Sequence, residues 1–251
     1  KNIEGESSLN TLIENVNYSI WTDKIALEDF NGDGYLDILF GSDGGARSLS
    51  IMFNNGVDGF DSAIDLIPDG TVNFSPYLLT AGDFDGDGDQ DFKTVRLYGY
   101  HVTGHFTNDG NGNFEFEESN TGSSKKIFKS ADTDGDGISE LFSVYTHSNA
   151  NLIGTHFGST ISQLDFKDFD NDGIKDLFVF TSDAVHYCPN KNDIFNCTKI
   201  LNEPRSGNAK ILDLDDDKNL DLLIYSETGP KFYINEGGRF LEENSGILTL
   251  T

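Results

Sequence analysis

Five times along its 251 residues the chain places oxygen-bearing side chains at positions 1, 3, 5 and 9 of a nine-residue stretch. The first copy reads Asp29-Phe30-Asn31-Gly32-Asp33-Gly34-Tyr35-Leu36-Asp37, and the others begin at Asp83, Asp132, Asp168 and Asp213. Glycine stands sixth in the first four copies, and Lys218 takes that place in the fifth. Three or four carboxylates confined to so short a segment repel one another strongly. Calcium relieves that repulsion, because it is a hard cation that takes six to eight oxygens in flexible geometry, and it fits better than magnesium. The plainer reading is that Asp-Gly clusters merely form turns. Neither Cys nor His occurs in any copy, which argues against zinc.

An EF-hand shares the first half of this pattern but requires a bidentate Glu at position 12 and flanking helices. Position 12 is occupied by Phe40, Thr94, Ser143, Val179 and Ile224, so the EF-hand fails in every copy. Repetition of one register five times favours a cation over turn formation alone. The seventh residue is expected to contribute its carbonyl and the ninth to close the shell.

The flanks of these stretches read as short strands. Lys24 to Glu28 alternates, Leu36 to Phe40 is rich in β-formers, and Leu49 to Phe53 follows a glycine-rich turn. Asn54-Asn55-Gly56 and Asn108-Asp109-Gly110 then give hairpin signals ahead of aromatic runs. Starts at 29, 83, 132, 168 and 213 give separations of 54, 49, 36 and 45 residues. Four short strands per 40–50 residues, with no helical period, predict an all-β fold, a β-propeller of five blades. Each blade carries a D-x-[DN]-x-D-G-x-x-D loop between its first and second strands. The repeats fall near 24–65, 77–118, 126–158, 161–200 and 209–245 within a single domain, 1–251. The separation of 36 predicts a short third blade, and residues 1–22 or Ile247 to Leu250 are expected to close the ring.

Composition narrows the function. A net charge of −26, much of it inside the five loops, argues against nucleic acid or an anionic membrane as partner. No apolar run approaches 18 residues, so no membrane-spanning helix is expected. Lys1-Asn2-Ile3-Glu4 reads as the start of a mature or trimmed chain.

The loops, their flanking strands and the following N-x-G-x-G-x-F together resemble the FG-GAP/VCBS repeats that build integrin-α-like propellers and many lectins. The resemblance covers roughly residues 24–245. It implies about five structural calcium ions, each held on the lower face of a blade. The implied ligands are Asp29, Asn31, Asp33, Tyr35 and Asp37 in loop one, and Asp83, Asp85, Asp87, Asp89 and Asp91 in loop two. Loop three would use Asp132, Asp134, Asp136, Ile138 and Glu140, and loop four Asp168, Asp170, Asp172, Ile174 and Asp176. Loop five offers Asp213, Asp215, Asp217, Asn219 and Asp221, with the seventh residue acting through its carbonyl throughout. Lys218 should make loop five the weakest site.

In the resembled propellers, ligands commonly bind at the turn between second and third strands, opposite the calcium loops. Tyr98, Tyr100, His101, Tyr145, His147, His186 and Tyr187 are expected near that turn and would suit sugar rings, unless they merely pack or cap turns. Cys188 and Cys197 bracket a turn and either form a disulfide or remain as buried thiols. No nucleophile–base set, phosphate loop or cofactor motif stands in the sequence, so catalysis is not expected. The expectation is a secreted, cell-surface or periplasmic binding module for a carbohydrate or protein ligand, without membrane insertion. A periplasmic protein-binding scaffold or inhibitor, and a propeller enzyme acting on polysaccharide, are the alternatives.

Overall fold

A computed structural model describes residues 20–42, 49–57, 59–66, 76–98, 100–120, 127–144, 151–152, 155–192, 194–202, 209–226 and 229–243. The chain forms two compact units, one running through residue 81 and taking up 89–123, the other formed by 82–88 and the chain from 124 onward.

In the first unit, β1 (Ile20–Glu28), β2 (Asp37–Ser42), β3 (Leu49–Met52) and β4 (Ile64–Asp65) form one antiparallel meander. A second meander comprises β5 (Pro76–Gly82), β6 (Asp91–Tyr98), β7 (Tyr100–Asn108) and β8 (Phe114–Asn120). Their core is aromatic. Phe30, Leu39, Leu49, Ile51, Leu79, Phe92 and Phe106 are buried together, with Phe92 and Phe106 stacked at 4.3 Å between centroids. Each such phenylalanine contributes about 1.5–3 kcal/mol by leaving water.

The second unit begins with two short hairpins, β9 (Ile127–Ala131) with β10 (Glu140–Val144), and β11 (Asn151–Leu152) with β12 (Thr155–His156). A complete meander follows, formed by β13 (Ile161–Lys167), β14 (Asp176–Thr181), β15 (Ala184–Cys188) and β18 (Thr198–Asn202). Between its last two strands, β16 (Asn190–Lys191) and β17 (Ile194–Phe195) project as a separate ribbon. The Cys188–Cys197 disulfide closes the base of that ribbon. The last meander is β19 (Ala209–Leu212), β20 (Asp221–Ser226), β21 (Gly229–Glu236) and β22 (Arg239–Glu243).

β14 shows why these sheets stack. All six of its residues are buried, and side chains alternate between the two faces of a strand. Leu177 and Val179 enter a cluster with Leu164 and Phe166. Phe178 and Phe180 enter a different one with Ile211, Leu222 and Ile224. One strand therefore feeds two cores, as the central strand of a sheet covered on both faces must.

The architecture is all-β, and the four-stranded antiparallel meander is the blade unit of a β-propeller. Among the described residues there are four complete blades, not five. The third repeat supplies two two-stranded pieces in place of one four-stranded sheet. Its short separation from the fourth repeat leaves little chain for an outer strand. The segments expected to close a ring, 1–19 and 244–251, lie outside the described residues.

Candidate functional site

The acidic loops fall where the sequence places them, between first and second strands. Closing pairs flank four of them directly: Glu28↔Asp37, Ala131↔Glu140, Lys167↔Asp176 and Leu212↔Asp221. The second loop joins β5 to β6. All five share one backbone, with positive φ at the fourth and sixth positions. Glycine holds most of these, at Gly32 and Gly34, Gly86 and Gly88, Gly135 and Gly137, and Gly173. Asn171, Asp216 and Lys218 take the same conformation at φ 60°, 65° and 73°.

Position 1 organises each turn. Asp29 accepts the N–H groups of Asp33 and Gly34, and Asp168 those of Asp172 and Gly173. Asp83, Asp132 and Asp213 accept from positions 4 and 6 of their own loops. Asn31, Asp85, Asp134 and Asp215, at position 3, accept from position 5. The seventh-position N–H groups of Tyr35, Ile138, Ile174 and Asn219 donate to the carboxylates of Asp33, Asp136, Asp172 and Asp217. Asp87 lies at the equivalent fifth position of loop two and is exposed. The side chain of Asp89 turns toward Gly110 in the β7–β8 hairpin.

These bonds curl the loops so that acidic oxygens converge. In four of the continuous loops three carboxylates each offer an oxygen within 4.8 Å of the others: Asp83, Asp85 and Asp91; Asp132, Asp134 and Asp136; Asp168, Asp170 and Asp172; Asp213, Asp215 and Asp221. Loop one presents Asp29 and Asp33 with the amide of Asn31. A donor set of carboxylate and amide oxygens, without sulfur or imidazole, fits calcium chemistry. Among the described residues Lys191, on the β16–β17 ribbon, reaches in and lies 3.8 Å from Asp170.

The ninth position differs from its neighbours. Asp37, Asp91, Asp176 and Asp221 are buried. Asp37 accepts the N–H of Phe30 on one oxygen and of Asn54 on the other. Asp176 repeats this with Phe169 and Asn190, and Asp221 with Leu214 and Asn235. In loop three, Thr133 donates both its N–H and its hydroxyl to Glu140. Burial pushes the Asp37 and Asp176 carboxyls upward from their ordinary range, against the pull of those backbone bonds. The ninth residue is thus a brace between strands as much as a candidate ligand. Of the asparagines that meet it, Asn54 and Asn108 were read from sequence only as hairpin formers, and Asn190 and Asn235 were not singled out.

The expected ligand face is corrected at two residues. His186 and Tyr187 are not at the β14–β15 turn, which is Ser182–Asp183. They lie down β15, opposite Val179 and Phe178. The Tyr187 hydroxyl donates to Asp176 at 2.8 Å, beneath loop four. Burial, and then that bond, hold its phenol well above the ordinary range. His186 packs edge-on against Phe157, and burial holds its imidazole below the ordinary value. Tyr98 pairs with Tyr100 and Leu97 with His101 along the β6–β7 hairpin, as expected for the backbone. Tyr145 and His147 lie outside the described residues.

Residues 29–92 match the FG-GAP-like repeat family. No curated protein matches the chain. Among solved structures, the chain is similar to an Agrocybe aegerita lectin described as recognising non-reducing terminal N-acetylglucosamine. The TM-score is 0.59 at 18% identity, over 88% of this chain and 65% of the lectin. It is also similar to BBS1N solved in complex with ARL6DN, with a TM-score of 0.53 at 12% identity, over 90% of this chain and 68% of that one. The chain therefore spans less than two thirds of the lectin's length, and at these identities the likeness is one of fold.

Proposed function

We propose that this chain, which carries the FG-GAP-like repeat at residues 29–92, is a calcium-stabilised binding module that works outside the cytosol on a carbohydrate or protein ligand. The observation that carries the reading is the recurrence of one strained loop backbone, with three converging carboxylates in four of its copies. A turn needs only the position-1 aspartate, and the further acids at positions 3 and 5 add repulsion that a turn does not require. Bound calcium would supply a divalent charge to be shared by these oxygens. The first, third and fifth residues would hold it in loops one, three and four, and the first, third and ninth in loops two and five.

Binding rather than catalysis is supported by the fold likeness to the lectin and by the roles found for His186 and Tyr187. His186 and Tyr187 are spent on packing and on Asp176. Export is supported by the Cys188–Cys197 disulfide, which persists in oxidising compartments. A protein-binding scaffold is the second reading. It is favoured by the exposed Glu115, Glu117 and Glu118 on the outer strand β8, which would suit a basic partner.

The test is thermal unfolding in calcium and in chelator, with bound metal counted in parallel. A clear drop with chelator and several ions per chain are expected, because a ligand of the folded state alone stabilises it by mass action. Unchanged melting with no bound metal would overturn the metal reading. A panel of glycans with terminal N-acetylglucosamine, followed by basic proteins, tests the ligand class. Saturable binding is expected, and sustained turnover of any glycan would overturn the binding reading.

A further inference from the structure

We infer that Asn108 and Asn190 are positioning residues, each of which holds the acidic loop before its own blade in the shape that takes a cation. The inference rests on the calcium reading above and concerns what keeps loops one and three ready to fill.

In every complete blade an asparagine stands at or near the end of the third strand. The backbone N–H groups of Asn54, Asn108, Asn190 and Asn235 each donate to the ninth-position carboxylate of their own blade at 2.8 Å. Each side-chain amide also donates to the carbonyl of the eighth residue, at 3.0–3.3 Å. One residue thereby clamps the exit of its own loop from two directions.

Two of the four reach further. The Asn108 amide donates to the carbonyl of Phe30 at 2.8 Å, and Asn190 repeats the bond to the carbonyl of Thr133. Phe30 and Thr133 are the second residues of loops one and three. Their N–H groups donate to the ninth-position carboxylates Asp37 and Glu140 of those loops. Each link thus runs from one ninth-position acid, through the second residue and an asparagine, to the ninth-position acid of the next blade. The first link lies wholly in the first unit and the second wholly in the other. Both asparagines are buried, at 4% and 2% exposure, so water cannot substitute for a lost partner. The third and fourth loops also touch directly: a side chain at Gly135 would meet Ile174, the seventh residue of loop four.

The physical consequence follows from ordering. The Asn108 amide holds the Phe30 carbonyl, and the Phe30 N–H holds Asp37, so loop one has less freedom left to lose when it fills. Outer groups of this kind typically alter metal affinity by about 10–100-fold when removed.

Terbium luminescence reads the loops separately, using Tb³⁺ as the oxygen-seeking probe and tyrosine as antenna. Tyr35 is the seventh residue of loop one, and Tyr187 bonds Asp176 of loop four. Signals lost in Tyr35→Phe and in Tyr187→Phe identify the two sites in the full chain. Asn108→Ala is expected to weaken terbium binding at the Tyr35 site about tenfold and leave the Tyr187 site unchanged. If Asn108→Ala does not fold, Asn108→Ser retains a polar head too short to bridge and should give the same split. Equal weakening of both sites would mean general destabilisation and would overturn the positioning role, as would no change at either. Absence of any terbium signal in the unmodified chain would instead remove the metal reading, and the positioning role with it.

Discussion

Replacing Lys218 by glycine isolates the conformational cost built into loop five. Sixth-position residues of the other loops are glycines at φ 88–95°, and Lys218 takes the same turn at φ 73°. A β-carbon in the left-handed region costs about 1–2 kcal/mol. Glycine removes that cost but frees the unfolded chain by about 0.4–1 kcal/mol. The difference leaves a net gain of about 0.5–1 kcal/mol, which for a chain of this size raises Tm by about 1–4 °C. Charge works the other way without metal. The ammonium is the one positive group within a loop holding Asp213, Asp215, Asp216, Asp217 and Asp221. Because it is exposed and screened, losing it costs only a few tenths of a kcal/mol.

The two effects separate experimentally. Thermal unfolding of Lys218→Gly should show a small gain in chelator and a larger one in saturating calcium, where the ammonium no longer competes with the ion. Lys218→Asn removes the charge while keeping a side chain that tolerates the left-handed region, and should fall between parent and glycine variant. In the reverse direction, Gly173→Ala at φ 91° should cost about 1–2 kcal/mol. If Lys218→Gly melts at or below the parent in calcium, the strain argument for loop five is wrong.

Two further perturbations have signs fixed by the structure. The disulfide spans nine residues of sequence, so the Cys188→Ser/Cys197→Ser variant should lose about 2–3 kcal/mol in urea unfolding; a loss under half a kcal/mol would show the ribbon is held by its own contacts. Burial lowers the His186 imidazole in the folded protein, so the unfolded chain takes up the proton first. Stability should be flat above its ordinary value of 6.5 and fall as pH drops below it toward the depressed folded value. His186→Gln should abolish that part of the slope below about pH 6.5, and an unchanged slope would place the titration elsewhere.

The loops were legible because their determinants are local. An aspartate that caps its own turn, and glycines where φ must be positive, act within nine residues, so reading them needs no partner strand. The flanking strands were legible for the same reason, since each loop's ninth residue opens the second strand. The third repeat was foreseen as short from its spacing alone. Among the described residues four complete blades stand where five were expected, and the third repeat contributes two two-stranded pieces. Tyr187 was misplaced by proximity in sequence to a turn. Counting register instead would have found it: Phe178 pairs with Tyr187, two residues beyond the ninth-position Asp176, which puts the ring at the loop end of the blade.

The asparagines are the harder case, and they show where local reading stops. Asn-x-Gly after a strand already has a sufficient explanation as a hairpin, and nothing in its own neighbourhood demands another. Yet Asn54 and Asn108 stand 17 residues beyond their ninth-position acids, and Asn190 and Asn235 stand 14 beyond theirs. Turn chemistry does not require that constancy within pairs, because a hairpin is indifferent to its distance from a distant aspartate. Register does require it: the third strand must carry the asparagine back to the level at which the second strand began. The interval was therefore readable as a constraint, while its purpose was not, since the bonds from Asn108 to Phe30 and from Asn190 to Thr133 cross 78 and 57 residues of chain. A residue that forms a turn locally and braces a loop at long range leaves one mark in the sequence for two functions. Only removing the brace while keeping the turn, as Asn108→Ser is meant to do, tells them apart.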